Sequence, residues 1–136
     1  MSASPPSKSI LLIDDDDLIA GSLRQVLLSE NCGVDVAVDA ASARTMMAKQ
    51  SYDVVMVDPY LTGGVHGDGC NLVQGVLTLQ PAASVIVLTG YSSPELAQSA
   101  ADGKIAALLT KPQSVPFLCQ FLVGMPQDSI ETSIKG

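Results

Sequence analysis

Five short apolar runs punctuate the chain: Ile10–Ile13, Val34–Val38, Val54–Val57, Val85–Leu88 and Ile105–Leu109. Most are continuous rather than alternating, which predicts strands buried on both faces of a parallel sheet. The stretches between them carry a helical period instead. Ile19, Leu23, Val26 and Leu27 make one stripe, Ala43, Met46 and Met47 a second, and Leu72, Val73, Val76 and Leu79 a third. Phe117, Leu118, Phe121 and Leu122 make the fifth. The fourth helix, over 95–101, has the weakest inward face, expected as Leu96, Ala97, Ala100 and Ala101. Its start is well marked, with Ser93 as N-cap and Pro94 at the first helical position.

Strand and helix alternate five times, which predicts an α/β fold. The expected architecture is a doubly wound five-stranded parallel sheet with helices on both faces and right-handed crossovers. Residues 1–8 read as a flexible N-terminal arm, 9–124 as the folded domain, and 125–136 as a C-terminal tail or the start of a linker.

Composition narrows the function classes. A chain of 136 residues, 47% of them hydrophobic, is the size of one domain with a core of its own. Seven basic against fourteen acidic residues leave a net charge of −7. That balance speaks against nucleic-acid binding, which needs clustered Lys or Arg, and suits a cation or a basic partner. Cys32, Cys70 and Cys119 are odd in number and form no CxxC pair, so they read as small core or half-buried thiols of a reducing cytoplasm. No apolar run approaches the ~20 residues of a membrane span. The polar start "MSASPPSKS" is followed by an "ILLI" too short for a signal-peptide core. The expectation is a soluble cytoplasmic domain without a membrane partner.

In an open parallel sheet, ligands bind beyond the carboxyl ends of the strands. Asp14 and Asp15 follow the first run, Asp58 the third, Thr89 the fourth and Lys111 the fifth. Asp39 follows the second, but before "AASA" it reads more simply as a helix N-cap. The aspartate run Asp14–Asp17 needs explaining, since two like charges ~4 Å apart cost ~1 kcal/mol even in water. Its first two members are expected to face a bound cation, while Asp16 and Asp17 make a solvated helix start that meets the helix dipole favourably. Three carboxylates around one point suit a hard divalent cation, and Mg²⁺ takes one or two of them beside waters and phosphate oxygens. A lysine and a hydroxyl opposite would receive the other oxygens of a phosphoryl group. A metal-flanked carboxylate can itself attack phosphorus and carry an acyl phosphate.

The segments "ILLIDDD", "DVVMVDPYLTG", "VIVLTGYSS" and "ALLTKPQ" resemble the motifs of the receiver domain of two-component response regulators, over roughly residues 9–124. The resemblance implies a flavodoxin-like fold and a Mg²⁺-dependent phosphoacceptor that takes its phosphoryl group from a sensor histidine kinase or a phosphotransfer protein. By position, Asp58 would be phosphorylated. Asp15, the Asp58 side chain and the backbone carbonyl of Tyr60 would bind Mg²⁺ directly, and Asp14 mostly through a water. Thr89 and Lys111 would hold phosphoryl oxygens, with a cis Lys111–Pro112 bond. Output would pass to a further domain or protein through the face made by the fourth helix, fifth strand and fifth helix.

The chain departs from that family in four places. Thr62 stands where a proline is frequent, with Pro59 directly after Asp58. The loop from Thr62 to Gly69 is about three residues longer than usual; no Lys-Ser/Thr follows its glycines, so it is not a P-loop, and His66 within it reads as solvated. Leu108 occupies the position where the family carries a rotating aromatic ring. Tyr91 is a candidate substitute, and Tyr60 and Tyr91 together would flank the attacking water and slow dephosphorylation. Two other readings compete. One is a phosphorylation-independent scaffold of the same fold. The other is a haloacid-dehalogenase-type phosphatase with Asp14 and Asp16 as its carboxylate pair, for which the chain lacks a second acidic pair after Lys111 and a cap.

Overall fold

In the computed structural model, residues 8–59, 69–90 and 93–125 are described. The elements alternate as expected: β1 (Lys8–Ile13), α1 (Asp17–Ser29), β2 (Cys32–Ala37), α2 (Ala40–Lys49), β3 (Val54–Val57), α3 (Gly69–Leu79), β4 (Ser84–Thr89), α4 (Pro94–Ala101), β5 (Ala107–Thr110) and α5 (Val115–Val123). The strands form one parallel sheet in the order β2-β1-β3-β4-β5. From β1, an inner strand, the chain winds one way to β2 at the edge, then crosses back over β1 to β3. That reversal leaves a crevice between β1 and β3 at their carboxyl ends.

Each strand sends alternate side chains to opposite faces, and both faces are covered. Leu11, Ile13, Val55, Val57, Val85 and Val87 pack with Ala43 and Met47 of α2, Leu72, Val73 and Val76 of α3, and Leu96 of α4. Ile10, Leu12, Val54, Met56, Ile86 and Leu88 pack on the other side with Leu23 and Leu27 of α1 and Leu118, Cys119 and Leu122 of α5. Cys32 and Cys119 are buried thiols, as expected. Among the described residues, no helix is long and apolar enough to cross a membrane.

The differences from the expected elements have local causes. β1 begins at Lys8 rather than Ile10, because Lys8 and Ser9 pair with Cys32 and Gly33 of β2; the Lys8 Nζ also donates to the carbonyls of Val123 and Met125 at the end of α5. β2 ends at Ala37, and Val38 is exposed. β5 begins at Ala107 rather than Ile105; Ile105 is buried from the turn before the strand, so the apolar run starts earlier than the extended backbone. Gly103 makes that turn at φ 77°, a left-handed conformation in which a Cβ would be strained.

The helical stripes are narrower than the sequence suggests. Val26, Leu79 and Phe117, each expected to face inward, are exposed, and so are Ala97 and Ala101 on α4. Leu96 is the only fully buried residue of α4, with Ala100 packed partly against the core. On α4, Ala100 stands at i+4 from Leu96 and shares its stripe, whereas Ala97 and Ala101, at i+1 and i+5, turn away from it. Ser93 caps α4 and Asp39 caps α2, both as expected, the latter through its carboxylate accepting the Ser42 N–H at 2.7 Å.

Candidate functional site

The carboxyl ends of β1, β3 and β5 place four charged side chains together. The first two strands continue past their last residues by backbone bonds: Asp14 N–H donates to Ala37 O at 3.0 Å, and Asp58 N–H to Ile13 O at 2.8 Å. Asp14 and Asp58 are therefore anchored by the sheet ladder rather than by mobile loops. One oxygen from each of Asp14, Asp15 and Asp58 lies within 4.8 Å of the other two. Asp14 is 1% exposed and Asp58 8%, with Asp15 half-buried.

Lys111 reaches the same point from β5. Its backbone N–H donates to Thr89 O at 2.8 Å, and the Lys111–Pro112 bond is cis. Its Nζ donates to Asp58 Oδ2 at 2.9 Å and makes an ion pair with Asp14 Oδ2 at 3.1 Å. The second contact lacks hydrogen-bond alignment, so Asp14 Oδ2 is a buried oxygen that accepts no hydrogen bond. The other oxygen, Oδ1, accepts the Asp16 N–H at 2.9 Å. Burial disfavours the Lys111 charge, but the hydrogen bond to Asp58 and the Asp14 carboxylate outweigh it and raise the ammonium above its usual range. Burial raises Asp14 above the usual carboxylate range, against the Asp16 N–H and Lys111, which pull it down.

The residues present fit a hard divalent cation. The donors are three carboxylates, one with a buried oxygen that accepts no hydrogen bond, and the cluster carries three negative groups against one ammonium among the described residues. That imbalance has a consequence for the metal-free protein. Between the ordinary Asp value of 3.8 and the raised folded value, the folded state holds the Asp14 proton more tightly than the unfolded state does. Stability contributed by Asp14 is therefore lost as pH rises through that window, and the ionised group destabilises at neutral pH. Asp14→Asn is expected to stabilise the metal-free protein at pH 7. Thermal denaturation in EDTA should show the variant melting higher at pH 7, with the gain shrinking as pH falls toward 4. A lower melting point at pH 7 would contradict it.

The site thus unites Asp14, Asp15, Asp58 and Lys111, as the order of residues at strand ends suggested. Thr89 ends β4, next to β3, and is buried there. Asp39 stands apart as the α2 cap. Leu108 is half-buried in β5, paired in register with Val87 and packed against the core face that includes Leu96. Tyr60, the stretch 62–68 with Thr62 and His66, and Tyr91 lie outside the described residues. The reading of Asp14 and Asp16 as a phosphatase pair does not survive the geometry: the Asp16 side chain accepts from Leu18 N and Ile19 N at the head of α1. Sequence reasoning missed the Asp16 N–H on Asp14, because a backbone donor leaves no mark in residue type.

A family model described as the response regulator receiver domain matches residues 10–122. Among curated proteins, the alginate biosynthesis transcriptional regulatory protein AlgB of Pseudomonas syringae is 30% identical over 105 residues, which cover 77% of this chain and 23% of that protein. Protein PetR of Rhodobacter capsulatus is 33% identical over 89 residues, covering 65% and 35% respectively. The chain therefore corresponds to about a quarter to a third of the length of these relatives. A CheY-like receiver domain protein from Methanospirillum hungatei has the same fold, with TM-score 0.74 and 26% identity over 85% of this chain and 90% of that one. A Burkholderia pseudomallei response regulator, solved with a phosphorylated aspartic acid, calcium ion and citrate, gives TM-score 0.73 and 27% identity over 95% of this chain and 72% of its own.

Proposed function

Since the chain belongs to the response regulator receiver domain family, whose general function is phosphorylation-based signalling, we propose that Asp58 is its phosphoacceptor. The cofactor would be Mg²⁺, which Asp15, Asp58 and the Tyr60 carbonyl would hold, with Asp14 acting mostly through a water. One observation carries this reading: three strand-end carboxylates converge within 4.8 Å, and Lys111 is hydrogen-bonded to the central one, Asp58. The phosphorylated aspartic acid and calcium ion of the Burkholderia relative support it.

The chemistry follows from the residues. A carboxylate oxygen of Asp58 forms a P–O bond while the P–N bond of a donor phosphohistidine breaks, leaving an acyl phosphate here and a neutral imidazole on the donor after protonation. Lys111 turns from the carboxylate to the incoming phosphoryl oxygens, for which it supplies a point charge. The Thr89 hydroxyl takes another of those oxygens. A Mg²⁺ ion held by Asp15 and Asp58 would supply positive charge to offset that of the transferring group. The partners are a sensor histidine kinase or a phosphotransfer protein, in the cytoplasm, and an output domain or protein that docks on α4, β5 and α5. The weak burial of α4 suits a surface that shifts, since little apolar area holds it in place. Its net charge of −7 fits a domain that binds no nucleic acid itself.

Intact mass after incubation with acetyl phosphate and Mg²⁺ tests the assignment. A single phosphoryl adduct is expected, absent in Asp58→Asn and in EDTA. No adduct in the wild type, or one that persists in Asp58→Asn, would overturn it; the first result would favour a scaffold that works without phosphorylation.

A further inference from the structure

The cation cluster is built on a short turn between β1 and α1, and four bonds hold that turn in shape. The Asp16 N–H donates to Asp14 Oδ1 at 2.9 Å. The Asp16 carboxylate accepts from Leu18 N at 3.1 Å and Ile19 N at 3.3 Å, and Asp16 O accepts the Ala20 N–H at 2.9 Å. Asp16 is extended, at φ −85° and ψ 97°, so the chain turns into the helix at this residue. Its side chain is exposed and is no member of the carboxylate cluster.

We propose that Asp16 is a positioning residue for the cation site, acting through its backbone and not through its charge. The side-chain cap fixes where α1 begins, which aims the Asp16 N–H at Asp14 Oδ1. With Oδ1 held there, Oδ2 is turned toward Lys111 and the cluster. Asp15, between the two anchored residues, takes its direction from the same turn. Loss of the cap frees the N–H to rotate, and both carboxylates lose their preset orientation. Metal sites depend on such outer partners: removing one typically weakens binding 10- to 100-fold.

The inference rests on the reading of the cluster as a Mg²⁺ site, and the test separates the two. Mg²⁺ affinity is measured by calorimetric titration at about 0.15 M salt, where distant charge is largely screened. Asp16→Ala is expected to weaken binding about tenfold. Asp16→Asn, which caps as well as Asp but carries no charge, is expected to stay within about twofold of wild type. Asp39→Ala removes an equivalent aspartate cap and the same charge from α2, and should leave Mg²⁺ affinity unchanged while lowering the melting point as Asp16→Ala does. Amide exchange at residues 16–20 of the metal-free protein should rise in Asp16→Ala and be restored in Asp16→Asn. Equal weakening in Asn and Ala variants would make charge the cause and overturn the proposal. So would wild-type affinity in Asp16→Ala, or equal weakening in Asp39→Ala. A wild type that binds no Mg²⁺ at all would overturn the cation reading itself, and this inference with it.

Discussion

Lys111→Met is expected to slow phosphoryl transfer to Asp58, the proposed acceptor, by about two orders of magnitude at saturating Mg²⁺, the usual cost of deleting one charged donor from a transferring group. Methionine keeps most of the apolar stem and removes only the ammonium that now sits 2.9 Å from Asp58 Oδ2 and 3.1 Å from Asp14 Oδ2. The same change should tighten Mg²⁺ binding, because the cation no longer shares the cluster with a positive neighbour. Slower transfer with tighter metal is a pair of opposite effects that general damage to the fold does not produce. In EDTA, the variant should also be less stable at pH 7, by about 1–2 kcal/mol, since two buried carboxylates lose the ammonium they share; the partial exposure of Lys111 keeps the figure below that of a fully buried pair. Time courses of adduct formation with acetyl phosphate, beside a Mg²⁺ titration, decide it. An unchanged rate would remove Lys111 from the transfer step.

The largest effect on stability is expected far from the site, at Gln80. Its side chain is buried after the end of α3 and makes three bonds to backbone: Oε1 accepts the Tyr52 N–H at 2.8 Å, and Nε2 donates to Met47 O at 3.0 Å and Gln50 O at 2.9 Å. It replaces the missing ladder where the chain passes from α2 to β3. Gln80→Leu fills the space but leaves a buried N–H and two carbonyls without their partner, at about 1 kcal/mol or more each. The expected loss is about 3 kcal/mol, or roughly 10 °C in melting temperature for a domain of this size. Urea denaturation should show a lower midpoint with unchanged slope. A loss under about 1 kcal/mol would mean that water replaces the amide at no cost. Phosphoryl acceptance by the folded fraction should not change, because Gln80 lies at the amino ends of β3 and β4, opposite the carboxyl end that carries Asp58.

Much of the fold and the site could be read from residue order. A parallel strand covered on both faces must be apolar at every position, so the continuous runs located five strands to within two residues of their ends. Caps at Ser93 and Asp39 were legible because an N-cap acts on its own neighbours. Asp14, Asp15, Asp58 and Lys111 were legible together because each falls within two residues of a strand's end, and parallel strands present those positions on one edge. The width of each helical stripe was not, as Val26, Leu79, Phe117, Ala97 and Ala101 show: period tells which side faces in, but a flat sheet covers only its middle.

What only the tertiary structure decided are the polar partners across long separations. Lys8 with Val123 spans 115 residues and Gln80 with Met47 spans 33, and the atoms they meet are backbone carbonyls, which every residue has. The bond from Asp16 to Asp14 spans two residues, yet it too depends on a backbone donor whose direction is set by where α1 starts. Apolar burial is non-directional and scales with area, so it leaves a periodic trace along the chain. A hydrogen bond is satisfied only at one distance and angle, and that geometry exists only once the layers have packed.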